Sequence, residues 1–135
     1  MLYFAYGSNL NHFQMKNIRC IGSRYLKSFF LKDYKLIFCH PNKLNKFGYA
    51  NVIKKKGFRV AGAIWEITHE HEKILDGYEG FPNTYQKKYF YLKGKKIMFY
   101  NMGQYIFKDP PKSYIDTINK GYEDCNINLK INYRF

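Results

Sequence analysis

The chain has 135 residues, 46% hydrophobic and 20% aromatic, which is long enough to bury its own core and too apolar for disorder. Of its 23 basic residues 19 are scattered lysines, so the formal charge of +13 reads as a solvated surface, not the arginine-rich footprint of a nucleic-acid binder. No apolar run approaches the ~20 residues of a membrane span and the start lacks a secretory signal, so a soluble cytoplasmic chain forming one domain over 1–135 is expected.

In chain order, residues 2–6 predict a buried strand ended by Gly7. Asn11 and Gln14 fit a capping box for a short helix with Leu10, Phe13, Gln14 and Ile18 on its apolar side. Residues 24–32 and 34–40 predict strands joined near Asp33, and residues 48–55 another. Residues 58–67 are apolar in both phases of the alternation, which predicts a strand buried on both faces. Thr68 caps a helix from His69 to Glu79 that carries Glu70 and Glu72 in its first turn, buries Ile74, Leu75 and Tyr78, and stops at Gly80 and Pro82. Residues 85–92 and 95–100 predict a hairpin about Gly94. Pro110-Pro111 opens a last helix with the stripe Tyr114, Ile115, Ile118 and Tyr122, and the final ten residues form a strand or a docked tail. The sum is an α+β fold with a mainly antiparallel, barrel-like sheet and flanking helices.

Two features carry chemistry. The strand-to-turn junction Tyr3-Phe4-Ala5-Tyr6-Gly7-Ser8-Asn9-Leu10 aims unpaired backbone N–H groups, a hydroxyl and an amide at one point, where they suit a small anion such as a carboxylate. Gly7 either lets backbone approach a ligand or serves a turn that needs positive φ. Glu79 lies four residues after Leu75, at the edge of the apolar face and at a helix C-terminus, and both placements raise its pKa. Either it bonds a neighbouring loop N–H or it serves a site. Asp76 falls on the predicted polar face, Asp124 reads as surface, and Glu66 is a second candidate inward carboxylate. Cys20, Cys39 and Cys125 show no disulfide or zinc spacing, and His12, His40, His69 and His71 form no metal pair.

The octet, with the later VAGAIWEI, LDGYEGFP, GYANV and PKSYIDTI, resembles the γ-glutamylcyclotransferase family in order and spacing over nearly the whole chain. The resemblance implies a barrel-like α+β domain with a cavity at one end. Its substrate-binding candidates are Tyr3, Phe4, Ala5, Tyr6, Gly7, Ser8, Asn9 and Tyr114, and the family's catalytic glutamate corresponds to Glu79. The γ-glutamylamine branch carries a Thr-Leu-Lys type of loop, so Ser8-Asn9 favours the other branch. The implied reaction cyclises a γ-glutamyl group to pyroglutamate and releases an amine or amino acid, with no metal or cofactor. Glu79 is then the general acid/base, and the loop N–H groups hold either the α-carboxylate or the oxyanion. The rival readings are a catalytically silent ligand- or nucleic-acid-binding module on the same scaffold, and an amide hydrolase using water. The leaving group and the oligomeric state stay open.

Overall fold

In the computed structural model, which describes residues 1–135, the four strands expected between residues 24 and 67 are two long ones. β2 (Arg24–His40) pairs antiparallel with β3 (Tyr49–Glu66) along almost its whole length. The register slips between Lys32 and Tyr34, where Asp33 alone on β2 faces residues 55–58 of β3. Asp33 takes a φ of 60° and its Oδ1 accepts the Gly57 N–H at 3.0 Å. This is a bulge: Asp and Gly are tolerated in left-handed backbone, so the residues that read as strand ends instead bend one ribbon.

With β1 (Leu2–Ala5), β4 (Gln86–Leu92), β5 (Lys95–Asn101) and the two-residue β6 (Ile106–Phe107), the sheet runs β4-β5-β1-β3-β2-β6. It is a curled half-barrel in which only β1 and β5 pair in parallel. Its two faces bury separate cores. Phe4, Tyr6, Leu31, Val52, Val60, Ile64, Ile97 and Phe99 fill the inside of the curl, all but Tyr6 from strands. Tyr3, Ala63, Trp65 and Met98 on the other face meet Leu10, Met15, Leu75, Ile118 and Tyr122 from the helical side. Within 58–67, residues 60–65 are buried throughout, as the two-phase apolar pattern requires, whereas Phe58 is 44% exposed and Arg59 and Glu66 face solvent. β3 reaches this depth because Gly62 has no side chain: a Cβ there would lie 2.5 Å from the Phe4 ring and the Ala5 carbonyl.

Two helical expectations need correction. After a 3-10 turn (Ser8–Leu10) the chain forms a π-helical turn (Gln14–Arg19), closed by Cys20 N–H to Met15 O at 2.8 Å. The wider pitch defeats a 3.6-residue pattern, so Met15 is buried while Phe13 and Ile18 are 66% and 54% exposed. Only half of the capping box forms: Asn11 Oδ1 accepts the Gln14 N–H, but the Gln14 side chain turns to Ser8 and Asn9.

α1 (His69–Glu79) has the expected bounds and cap, yet buries a different face. Thr68 Oγ1 accepts the His71 N–H, His71 Nδ1 accepts the Thr68 N–H, and His71 Nε2 reaches Ile21 O at 2.7 Å. That anchor turns the line His71, Leu75, Glu79 inward and leaves Ile74 and Tyr78 42% and 53% exposed. α2 (Lys112–Asp124) buries Ile115, Ile118 and Tyr122 as its stripe predicts. The last ten residues are a tail without regular structure, docked where Asn119 bonds the backbone of Ile131. The three cysteines are free and buried. No helix is long and apolar enough to cross a membrane.

Candidate functional site

A concavity of about 350 Å³ lies where β1 runs into the 3-10 turn. Gly7, Ser8 and Asn9 form one wall. The turn's own bonds run from Leu10 N–H to Gly7 O and from Asn11 N–H to Ser8 O. The N–H groups of Gly7, Ser8 and Asn9 therefore stand outside its ladder. Gly7 has a φ of −113°, so it serves close approach and not a left-handed turn. A Cβ there would come within 3.0 Å of the Tyr114 hydroxyl and 3.2 Å of Ala50.

The end of α1 forms the opposite wall and carries Glu79 into the cavity. The Gly80 cap, with φ 61° and Phe81 N–H bonded back to Asp76 O, ends the helix there. The Glu79 carboxyl makes no hydrogen bond or ion pair with the protein, so it does not serve to satisfy a loop N–H. Burial raises its pKa from 4.5 to about 7, opposed by the positive charge of Arg19. Tyrosines make up much of the remaining wall: Tyr3, Tyr6, Tyr49, Tyr85, Tyr100 and Tyr114.

The hydroxyls of Tyr3, Tyr6, Tyr85, Tyr100 and Tyr114 are held in place and neutral. Tyr6 donates to Tyr100 O at 2.5 Å, Tyr85 donates to Ala50 O at 2.6 Å, and Tyr114 accepts from Ala50 N–H at 3.1 Å. Burial is the leading cause that pushes the pKa of Tyr3, Tyr6, Tyr85, Tyr100 and Tyr114 upward. Tyr100 also donates to Asp76 Oδ1 at 2.6 Å, and Lys87 bonds both Asp76 and Glu72 at 2.9 Å. Asp76 is thus a half-buried anchor of the pocket wall, contrary to its place on the predicted polar face.

Of the residues singled out by sequence, Tyr3, Tyr6, Gly7, Ser8, Asn9, Tyr114 and Glu79 meet at this cavity. Phe4 and Ala5 do not. Strand alternation turns Phe4 into the curl, edge-on to Phe29 and Phe90, while Ala5 is buried between sheet and helices. Glu66 points out of the fold and pairs with Arg24 at 2.8 Å, so it is no inward carboxylate. Asp124 is half-buried and caps the His12 N–H. Sequence reasoning missed Arg19, Gln14, His40 and Tyr49, which also line the cavity. Arg19 stands at the end of the π-helical turn, whose pitch no periodicity signal announced. No group of three His, Cys, Asp or Glu side chains is placed to hold a metal.

The curled α+β half-barrel is shared with known structures. A structure titled gamma-glutamyl cyclotransferase superposes with a TM-score of 0.82 at 25% identity, covering 95% of this chain and 81% of that one. An uncharacterized human protein gives 0.82 at 26% identity with the same coverage. YkqA from Bacillus subtilis shares the fold at 22% identity and TM-score 0.73, over 91% of this chain and 48% of that one. No curated protein sequence matches significantly. The family described as gamma-glutamyl cyclotransferase, AIG2-like, matches residues 3–122, and the chain belongs to it.

Proposed function

We propose that this single domain is a cytoplasmic γ-glutamyl cyclotransferase acting on a small molecule. The observation that carries the reading is Glu79: an unpaired carboxyl with a pKa near 7, enclosed in a tyrosine pocket facing the Gly7-Ser8-Asn9 turn. Family membership supports the same reaction class.

In this reading the γ-glutamyl group folds back on itself. Its α-ammonium, with an ordinary pKa near 8, loses a proton to ionised Glu79. The free amine attacks the γ-carbonyl carbon and forms the lactam C–N bond. Glu79 gives the proton to the leaving nitrogen as the original amide C–N bond breaks, then takes the second proton from the ring nitrogen and passes it to the released amine, which returns Glu79 to its ionised form. Pyroglutamate and a free amine or amino acid leave. The nucleophile comes from the substrate, so the step calls for no serine or cysteine nucleophile, and Ser8 has no base partner: its hydroxyl accepts from Gln14. The turn and the tyrosines fix the reacting groups, which lowers the entropic part of the barrier.

The test is to identify the product from a panel of γ-glutamyl amino acids and amines by mass. Pyroglutamate supports cyclisation. Free glutamate would mean that water attacks and the protein is an amide hydrolase. Binding without turnover would leave a ligand-binding module.

A further inference from the structure

We propose that Arg19 is the carboxylate-binding residue of this pocket and holds a carboxylate of the γ-glutamyl substrate. The inference rests on reading the pocket as a γ-glutamyl site.

Arg19 is the only lysine or arginine on the cavity wall. One terminal N–H donates to Asn9 Oδ1 at 3.0 Å, and the guanidinium lies on the Tyr78 ring at 4.2 Å from its centre. No protein carboxylate pairs with it, and its other N–H groups have no protein acceptor. The fork is therefore fixed in position while most of its donors stay free, the arrangement that suits bidentate capture of an anion. Holding Asn9 does not explain it, because Asn9 Oδ1 already accepts from Gln14 Nε2 at 2.9 Å. Its charge also reaches into the cavity, lowering the pKa of Glu79, Tyr3 and Tyr114 against burial. Two carboxylates could be the guest: the α-carboxylate of every γ-glutamyl group, or that of a departing amino acid. In the first case the turn N–H groups remain for the oxyanion.

Pyroglutamate release is measured for wild type, Arg19→Gln and Arg19→Lys on three substrates. These are γ-glutamyl-alanine, its α-carboxamide counterpart, and γ-glutamyl-ethylamide, whose leaving group has no carboxylate. Removing the carboxylate that Arg19 holds lowers wild-type kcat/KM roughly 10- to 100-fold. Arg19→Gln suffers that loss on the dipeptide, mainly in KM, and no further loss on that one analogue, while Arg19→Lys recovers part of it. The sensitive analogue identifies the guest. An equal loss on all three substrates, as a merely structural role requires, overturns the proposal, as does an unchanged dipeptide rate. If wild type releases no pyroglutamate at all, the cyclotransferase reading fails. Calorimetry with the dipeptide then decides: weaker binding by Arg19→Gln sustains the proposal, and equal or absent binding overturns it.

Discussion

At the scale of single residues, Glu79 ties stability to pH in a direction opposite to most carboxylates. Its folded pKa is about 7 against an ordinary 4.5, so between those values the folded protein binds more protons than the unfolded chain. Stability therefore falls as pH rises through that window, by about 3 kcal/mol once Glu79 is fully ionised. Glu79→Gln keeps the shape and removes the ionisation. It should raise Tm by several degrees at pH 8, with the gap closing near pH 5. Equal melting curves at pH 8 would show that the carboxyl is not desolvated. Catalysis runs the other way, because only ionised Glu79 accepts a proton. The low-pH limb of kcat/KM should rise through about pH 7, and a limb near the ordinary carboxylate value would count against this residue as the base.

At the scale of elements, the site depends on α2 pressing against the Ser8–Leu10 turn. Gly121 permits it: a Cβ there would lie 2.5 Å from Leu10 Cβ and 2.7 Å from Asn11 N. Gly121→Ala should cost about 1–3 kcal/mol in urea unfolding and lower activity by displacing the turn. Thr68→Ala, which removes the α1 cap far from Glu79, should cost about 1 kcal/mol with a smaller effect on rate. Elements of standard period were legible: the cap at Thr68, the stop at Gly80 and the stripe on α2 are local physics. Glu79 was legible too, because a carboxylate conflicts with a helix C-terminus unless something else holds it there. What failed was non-local or of unusual pitch. The Asp33–Gly57 bulge looks like two strand ends, and only pairing across the ribbon shows one. The π-helical turn hid both Met15 and Arg19. The helix α1 was rotated by His71, whose partner Ile21 lies 50 residues away in sequence. Phe4 and Ala5 were carried along with their motif when strand alternation already set Phe4 apart from Tyr3.

For the whole molecule, the +13 charge is unevenly placed. Residues 24–66 and 86–101 hold 15 of the 23 basic residues and, of the ten acids, only Asp33 and Glu66. The excess thus sits on the strand segments, while the segments bearing the helices are nearly balanced. A γ-glutamyl amino acid has two carboxylates and one ammonium, so this field should speed its capture. kcat/KM should fall several-fold toward about 1 M salt, where charges are screened within about 3 Å, with kcat unchanged; a flat profile would deny the charge any role in capture. The central claim is that Glu79 moves the proton in a cyclisation. It is tested most directly by following pyroglutamate release from one γ-glutamyl substrate with wild type and Glu79→Gln. Wild type should release pyroglutamate and the variant, equally folded, should be slower by roughly 10³-fold. Most of the activity surviving in Glu79→Gln would contradict it.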